Sequence, residues 1–295
     1  MNPGLTPRRF PWDRHLVPGA SSILRTTVAR MKVNRVNMAA GAFAYRWFLS
    51  FFPLIIALLG VATLVTFPRH VLVNLLHGLT SALPAGAAQV FTSALTHASE
   101  RTGSDLPATV VASAVALWSA TSGMVVIEEG LDMAYGIASD RSFLAKRLVA
   151  LPLLLGVTLL GGAASTLIIF GPQLGHLVRV ASPVGSAFFA LTWTAVRWIV
   201  ALALMNFLFC LLYYLGPNRP RGRWRWTSAG ALVATAAWSI FSVGFSFYTS
   251  HFGSYGSTYG AFAGVAILIF WLYLTGMAIL VGGEVNAARE ARGQR

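Results

Sequence analysis

Six stretches of this chain, at about 42–66, 108–127, 149–170, 186–215, 229–250 and 259–283, stay apolar for long enough to cross a lipid bilayer. About 20 residues of helix, rising 1.5 Å each, cover the roughly 30 Å of hydrocarbon. The first run reads AFAYRWFLSFFPLIIALLGVATLV and the last YGAFAGVAILIFWLYLTGMAILVGG, both apolar around the whole helix surface as lipid-embedded helices are. A soluble fold could not cover them: hydrophobic residues make up 56% of the 295 and charged residues only 11%, against roughly 25% in ordinary globular chains. The expectation is an all-α polytopic membrane protein with six transmembrane helices.

The charges are sorted along the chain, and short loops rich in Lys and Arg stay on the cytoplasmic side. Arg8, Arg9, Arg14, Arg25, Arg30, Lys32 and Arg35 precede the first span; Arg141, Lys146 and Arg147 follow the second. Arg219, Arg221, Arg223 and Arg225 follow the fourth, and Arg289, Arg292 and Arg295 follow the sixth. The alternate connections hold only Arg69, Arg101 and Arg179, so both termini are expected in the cytoplasm. The first 22 residues have no apolar core of a signal peptide, so the first span would act as an uncleaved anchor.

Three regions follow: a basic amphipathic amino-terminal segment (1–37), a six-span domain (38–287) and a cytoplasmic tail (288–295). In the first, Leu24, Val28 and Met31 share a helix face among cations, the pattern of a helix lying on anionic lipid headgroups. Between spans one and two, 67–107 reads as two short amphipathic helices parted by Pro84 and Gly86, an external helical hairpin. Gly156, Gly161, Gly162 and Ala164 in span three, and Gly230, Ala234 and Ala237 in span five, suggest close helix contacts.

Catalytic signatures are missing. The sequence has no Walker A, H-E-x-x-H, G-x-S-x-G or C-x-x-C pattern, and Cys210, the one cysteine, allows neither an intramolecular disulfide nor a thiolate cluster. Four of the nine acids, Glu128, Glu129, Asp132 and Asp140, gather after span two, followed by Arg141, Lys146 and Arg147. A salt-bridged helix end is the first reading of that cluster, and a metal or proton site the second. Glu284, closing span six as Gly282-Gly283-Glu284, is expected to pair with a loop arginine. Five histidines, His70, His77, His97, His176 and His251, fall on the external side, where they serve as loop residues or as a metal or pH-sensing site. No metal or cofactor is expected.

The cations inside the spans say more. Arg197 sits in span four, where a midplane arginine costs at least about 2.5 to 3.5 kcal/mol and so faces protein or a water-filled cavity. Three readings stay open for it: snorkelling to the outer headgroups, a structural interior role, or contact with a substrate or lipid phosphate. Arg46 lies nearer the cytoplasmic end of span one and can snorkel. Pro53, in the middle of span one, frees the carbonyl of Leu49 and marks a candidate hinge or cavity wall.

Several motifs together resemble the YihY/BrkB family of bacterial inner-membrane proteins. They are Ala44-Tyr45 with Ser50 and Pro53, Leu117-Trp118-Ser119-Ala120-Thr121-Ser122-Gly123, and Ala134-Tyr135-Gly136 with Arg141 and Phe143. Tyr213-Tyr214-Leu215-Gly216-Pro217-Asn218, Gly230-Ala231 with Trp238, Tyr259-Gly260, Trp271-Leu272-Tyr273, and Gly282-Gly283-Glu284 with Asn286 continue the match. Asp132 stands where the family usually shows Asn, and Gly283 where Ala is more usual. The resemblance implies a multi-pass protein of the bacterial inner membrane without a settled biochemical activity. An inherited ribonuclease BN label attaches to the family, and members have been considered as exporters or lipid translocators.

The sequence thus points to a transporter, exporter or lipid translocator without its own ATPase, and not to an enzyme; the alternatives are a membrane assembly or adaptor protein and a membrane-bound ribonuclease. The expected substrate or lipid path comprises Arg46, Arg197, Tyr45, Ser50, Pro53, Trp118 and Ser119, in a cavity bordered by spans one, two and four. Glu128, Glu129, Arg141, Arg147 and Glu284 are the expected cytoplasmic-boundary ion pairs. The expected partners are anionic membrane lipids and a small solute or lipid substrate, not nucleic acid; the oligomeric state is open.

Overall fold

The computed structural model describes residues 23–64, 106–180, 186–220, 226–252 and 255–293, and all regular structure among them is helical. In chain order the helices are α1 (Ile23–Val33), α2 (Val36–Leu64), α3 (Leu106–Tyr135), α4 (Phe143–Gly156), α5 (Gly162–Val180), α6 (Ser186–Leu215), α7 (Ala229–Phe252) and α8 (Tyr255–Gly293). Four stretches among them are long and apolar enough to cross a membrane: Phe143–Ile168, Phe189–Leu215, Ala229–Tyr248 and Val265–Ala291. The first two apolar runs of the sequence fall on α2 and α3, of 29 and 30 residues, or about 45 Å each. Most of the expected hairpin segment, with His70, His77 and His97, lies outside the described residues, as do the side chains of His176, His251, Pro53 and Ser119.

Two departures from the sequence reading concern helix extent. The third apolar run is two helices joined through a wider π turn at Val157–Gly161, between Gly156 and Gly162. Pro152 and Pro172 lie inside α4 and α5, each withholding one backbone N–H, so this strand of the bundle is interrupted three times. The last run does not end at Gly283: α8 continues to Gly293, which puts Glu284 inside a helix and not at its close.

The α8 helix is the hub, packing against α1, α2, α3 and α7, while α4 and α5 pack on α6. Ile127 and Leu131 of α3, Leu153 of α4, and Phe209 and Leu212 of α6 fill the shared core, each almost fully buried. The outer faces keep their large apolar side chains exposed, among them Leu159, Leu191, Ile240, Val243 and Phe247, as a lipid-facing surface does. Of the small residues, Gly156 lies against Leu211 and Leu208, but a side chain at Gly162 would meet open space. Gly230 and Gly282 bring α7 and α8 so close that a Cβ on either would strike the other's carbonyl oxygen. Small residues of this kind let helices gain van der Waals contact where lipid offers no hydrophobic drive.

Candidate functional site

The polar end of the bundle is built on two buried carboxylates. Glu284, fully buried on α8, accepts from Arg30 Nε at 2.9 Å and from Asn34 Nδ2. Arg30 also donates from Nη2 to the Ala134 carbonyl at 2.7 Å, so one side chain of α1 joins the end of α3 to Glu284 within α8. The expected partner for Glu284 was a loop arginine, but the chain supplies one from α1. Between α1 and α2 the backbone turns at Arg35, whose φ of 47° places it in the left-handed region. Leu24 and Val28 remain exposed, while Thr27 and Arg30 turn inward, so α1 holds the bundle with one face.

The second carboxylate, Glu128 of α3, is 1% exposed and accepts from Arg141 Nη1 at 2.8 Å. The same guanidinium donates to the carbonyls of Gly216 at 2.6 Å, Pro217 at 2.8 Å and Leu215 at 3.3 Å. These lie at the carboxyl end of α6, where unpaired carbonyls and the helix dipole favour a cation. Arg141 can reach them because α3 stops sharply. Gly136, at φ 70°, donates to the Met133 carbonyl and Ile137 to that of Asp132, the paired bonds of a left-handed helix cap. Asp132 then accepts from the Asn218 backbone N–H at 2.6 Å, a role that needs an acceptor only, which an acid fills as well as an amide would. Lys146 bridges Glu129 and Asp140 at 2.8 and 2.9 Å, and its hydrogen bond holds the exposed Asp140 carboxyl below its ordinary range.

Arg147, expected in an ion pair, has none among the described residues. Its Nη1 donates to the Trp118 carbonyl and to the hydroxyls of Thr121 and Ser122. The Trp118 and Phe143 rings lie 4.7 and 5.6 Å from the guanidinium carbon. Between α2, α3 and α8 lies a half-open cavity of about 190 Å³, lined mostly by apolar residues such as Phe43, Val126 and Met133, with Glu129 also on its wall.

Arg197 lies elsewhere. It packs against Gly171 of α5, where a Cβ would collide with its Cδ and Nη1, and the neighbouring Trp193 donates to the Gly171 carbonyl at 2.6 Å. Its Nε and Nη1 are buried and have no hydrogen-bond partner among the described residues. Tyr45 and Arg46 are exposed on α2, and Ser50 faces Gly123 of α3 beside Trp47, which donates to the Gly123 carbonyl at 3.1 Å. The structure therefore brings Ser50 to α3 and Arg197 to α5, and the described contacts do not join the two. Sequence reasoning missed Arg30, Asn34 and Gly171; only the Gly171-Pro172 pair offered a signal, as a small residue beside a helix breaker.

A family model described as virulence factor BrkB matches residues 27–295. The chain belongs to the BrkB family. A Bacillus subtilis (strain 168) protein named as the ribonuclease-like protein YfkH is 33% identical over 92% of this chain and 96% of its own length. A UPF0761 membrane protein of Vibrio campbellii is 30% identical over 92% of this chain and 83% of its own. No solved structure matches the chain. The BrkB-family assignment covers every part of the polar end described above, and among the described residues no three His, Cys, Asp or Glu stand close enough to hold a metal ion.

Proposed function

We propose that this BrkB-family membrane protein is a six-span transporter, exporter or lipid translocator of the bacterial inner membrane, with both termini cytoplasmic and no ATPase of its own. The observation that carries the reading is Arg197, a cation within an apolar helix whose Nε and Nη1 are buried without a partner among the described residues. An unanswered buried donor costs about 1 to 3 kcal/mol, and more when charged, so a site that keeps one is suited to an anionic group that arrives and leaves. Tyr45, Arg46, Ser50, Pro53, Trp118 and Ser119 would form a second wall of the path, on α2 and α3.

Reconstitution into vesicles tests this with a headgroup-accessibility assay for lipids and an efflux assay for anionic solutes. The expected result is protein-dependent transfer that Arg197→Ala abolishes; wild-type rates in the variant would remove Arg197 from the path. The name of the Bacillus relative keeps a ribonuclease as a second reading. Purified protein that cleaves RNA, and loses that activity on Glu128→Gln, would favour it over transport.

A further inference from the structure

Arg147 differs from Arg30, Arg141 and Lys146 in what answers it. Arg30, Arg141 and Lys146 meet carboxylates, whereas the three hydrogen bonds of Arg147 leave Nη1 for neutral oxygens at 3.0, 2.7 and 2.9 Å. A guanidinium carries five N–H donors, and Nη1 supplies two of them. The Nε and Nη2 edge holds the other three, with no carboxylate against it among the described residues. Of the nearby acids, Glu129 and Asp140 are bridged by Lys146, and Glu128 pairs with Arg141 through Oε2, reaching Arg147 only through its longer-range charge. Trp118 and Phe143, which frame the guanidinium, are 46% and 66% exposed, an aromatic and cationic pairing that suits a membrane interface.

Away from the polar end the same flank is wholly apolar. Leu144, Leu148, Leu155 and Leu159 are all exposed and recur at helical spacing on the face next to Arg147. From Leu148 to Leu159 the rise is about 16 Å, close to the depth of one leaflet of a bilayer with roughly 30 Å of hydrocarbon. We propose that Arg147, Ser122 and Trp118 form a lateral binding site for an anionic glycerophospholipid. Its phosphate meets the free edge of Arg147, and one acyl chain lies along Leu148, Leu155 and Leu159. The site opens onto this apolar flank, which favours a lipid over a soluble anion. A zwitterionic headgroup brings its own cation toward Arg147, which favours an anionic lipid over a neutral one. The site stands whether the chain transports or not.

The test uses the full chain in detergent, with melting temperature read against added phosphatidylglycerol, phosphatidylcholine or glycerol phosphate. Phosphatidylglycerol is expected to raise it and the other two are not. Arg147→Gln is expected to raise about fivefold the phosphatidylglycerol concentration needed for the same shift, the factor in affinity that one basic residue contributes beside an anionic leaflet, and Arg147→Lys to keep part of it. Should the Gln variant not fold, a photoactivatable phosphatidylglycerol on the wild-type chain decides. Labelling of residues 117–122 and 143–159, displaced by phosphatidylglycerol and not by phosphatidylcholine, supports the site. Equal stabilisation by phosphatidylcholine, an equal effect of glycerol phosphate alone, an unchanged response in Arg147→Gln, or labelling confined to other residues overturns it.

Discussion

Arg141 and Arg197 each bring a guanidinium into the same bundle and meet opposite surroundings. Arg141 is matched by a carboxylate and three carbonyls, drawn from α3, the end of α6 and the turn after it. Arg197 sits in a notch that Gly171 leaves open, with two buried nitrogens unanswered among the described residues. A charge that is fully met holds helices in one arrangement; one that is half met keeps interaction energy in reserve for something else. The comparison separates the architecture of the polar end from the candidate path.

The sharpest way to break that contrast is to remove the matched cation. Arg141→Ala leaves Glu128, 1% exposed, without its partner and frees the last carbonyls of α6, so a loss of about 3 to 5 kcal/mol is expected. The readout is melting temperature in detergent, and a drop of only a degree or two would place Arg141 among the dispensable surface cations. Glu284→Ala should cost less, about 2 to 3 kcal/mol, because the orphaned Arg30 is 15% exposed and keeps its bond to Ala134. Chemical denaturation in mixed micelles measures it, and a cost above that of Arg141→Ala would reverse the ranking.

Arg197→Leu is expected to leave stability unchanged or raise it by up to about 1 kcal/mol, since it removes an unsatisfied buried group, while abolishing transfer in vesicles. A destabilisation as large as that of Arg141→Ala would show that Arg197 too is architectural. The smallest effect belongs to Asp140. Lys146 depresses its folded-state pKa, so the pair's contribution is present above the ordinary carboxylate range and fades as pH falls through the folded value. Asp140→Asn should therefore flatten a slight part of the stability loss between neutral and strongly acid pH. Identical pH profiles for wild type and variant would show that the bridge contributes nothing.

The four helices of membrane-crossing length among the described residues were legible because a bilayer imposes a length and a composition that single helices must meet alone. The α8 extension to Gly293 was not read from the apolar run, because beyond Glu284 the chain turns polar, and there the helix rests on good helix formers such as Ala287, Ala288 and Glu290 and on the Asn286 bond to Gly230. Charge sorting counted Arg30 as one more surface cation, since periodicity places it on a basic helix without saying which face another helix will cover. Arg141 binds carbonyls more than 70 residues away, a link that only the fold creates. The arginine within the fourth run was visible, but the notch that leaves it unanswered depends on Gly171 across the helix seam. The π turn at Val157–Gly161 left only a faint trace, in the glycines on either side.

The glycine contact between α7 and α8 also bears on how such a bundle can move. With Gly230 and Gly282 backbone to backbone, and Asn286 of α8 accepting from the Gly230 N–H at 2.8 Å and donating to Ser228 Oγ at 3.0 Å, α7 and α8 are in direct contact there, while Tyr213 of α6 donates to the Ile279 carbonyl of α8 at 2.8 Å. A pair fastened in this way cannot slide or part without breaking several bonds at once, so it behaves as a stator. Any rearrangement that carries a ligand past Arg197 then has to be carried by the thrice-interrupted run from α4 to α5 swinging against it.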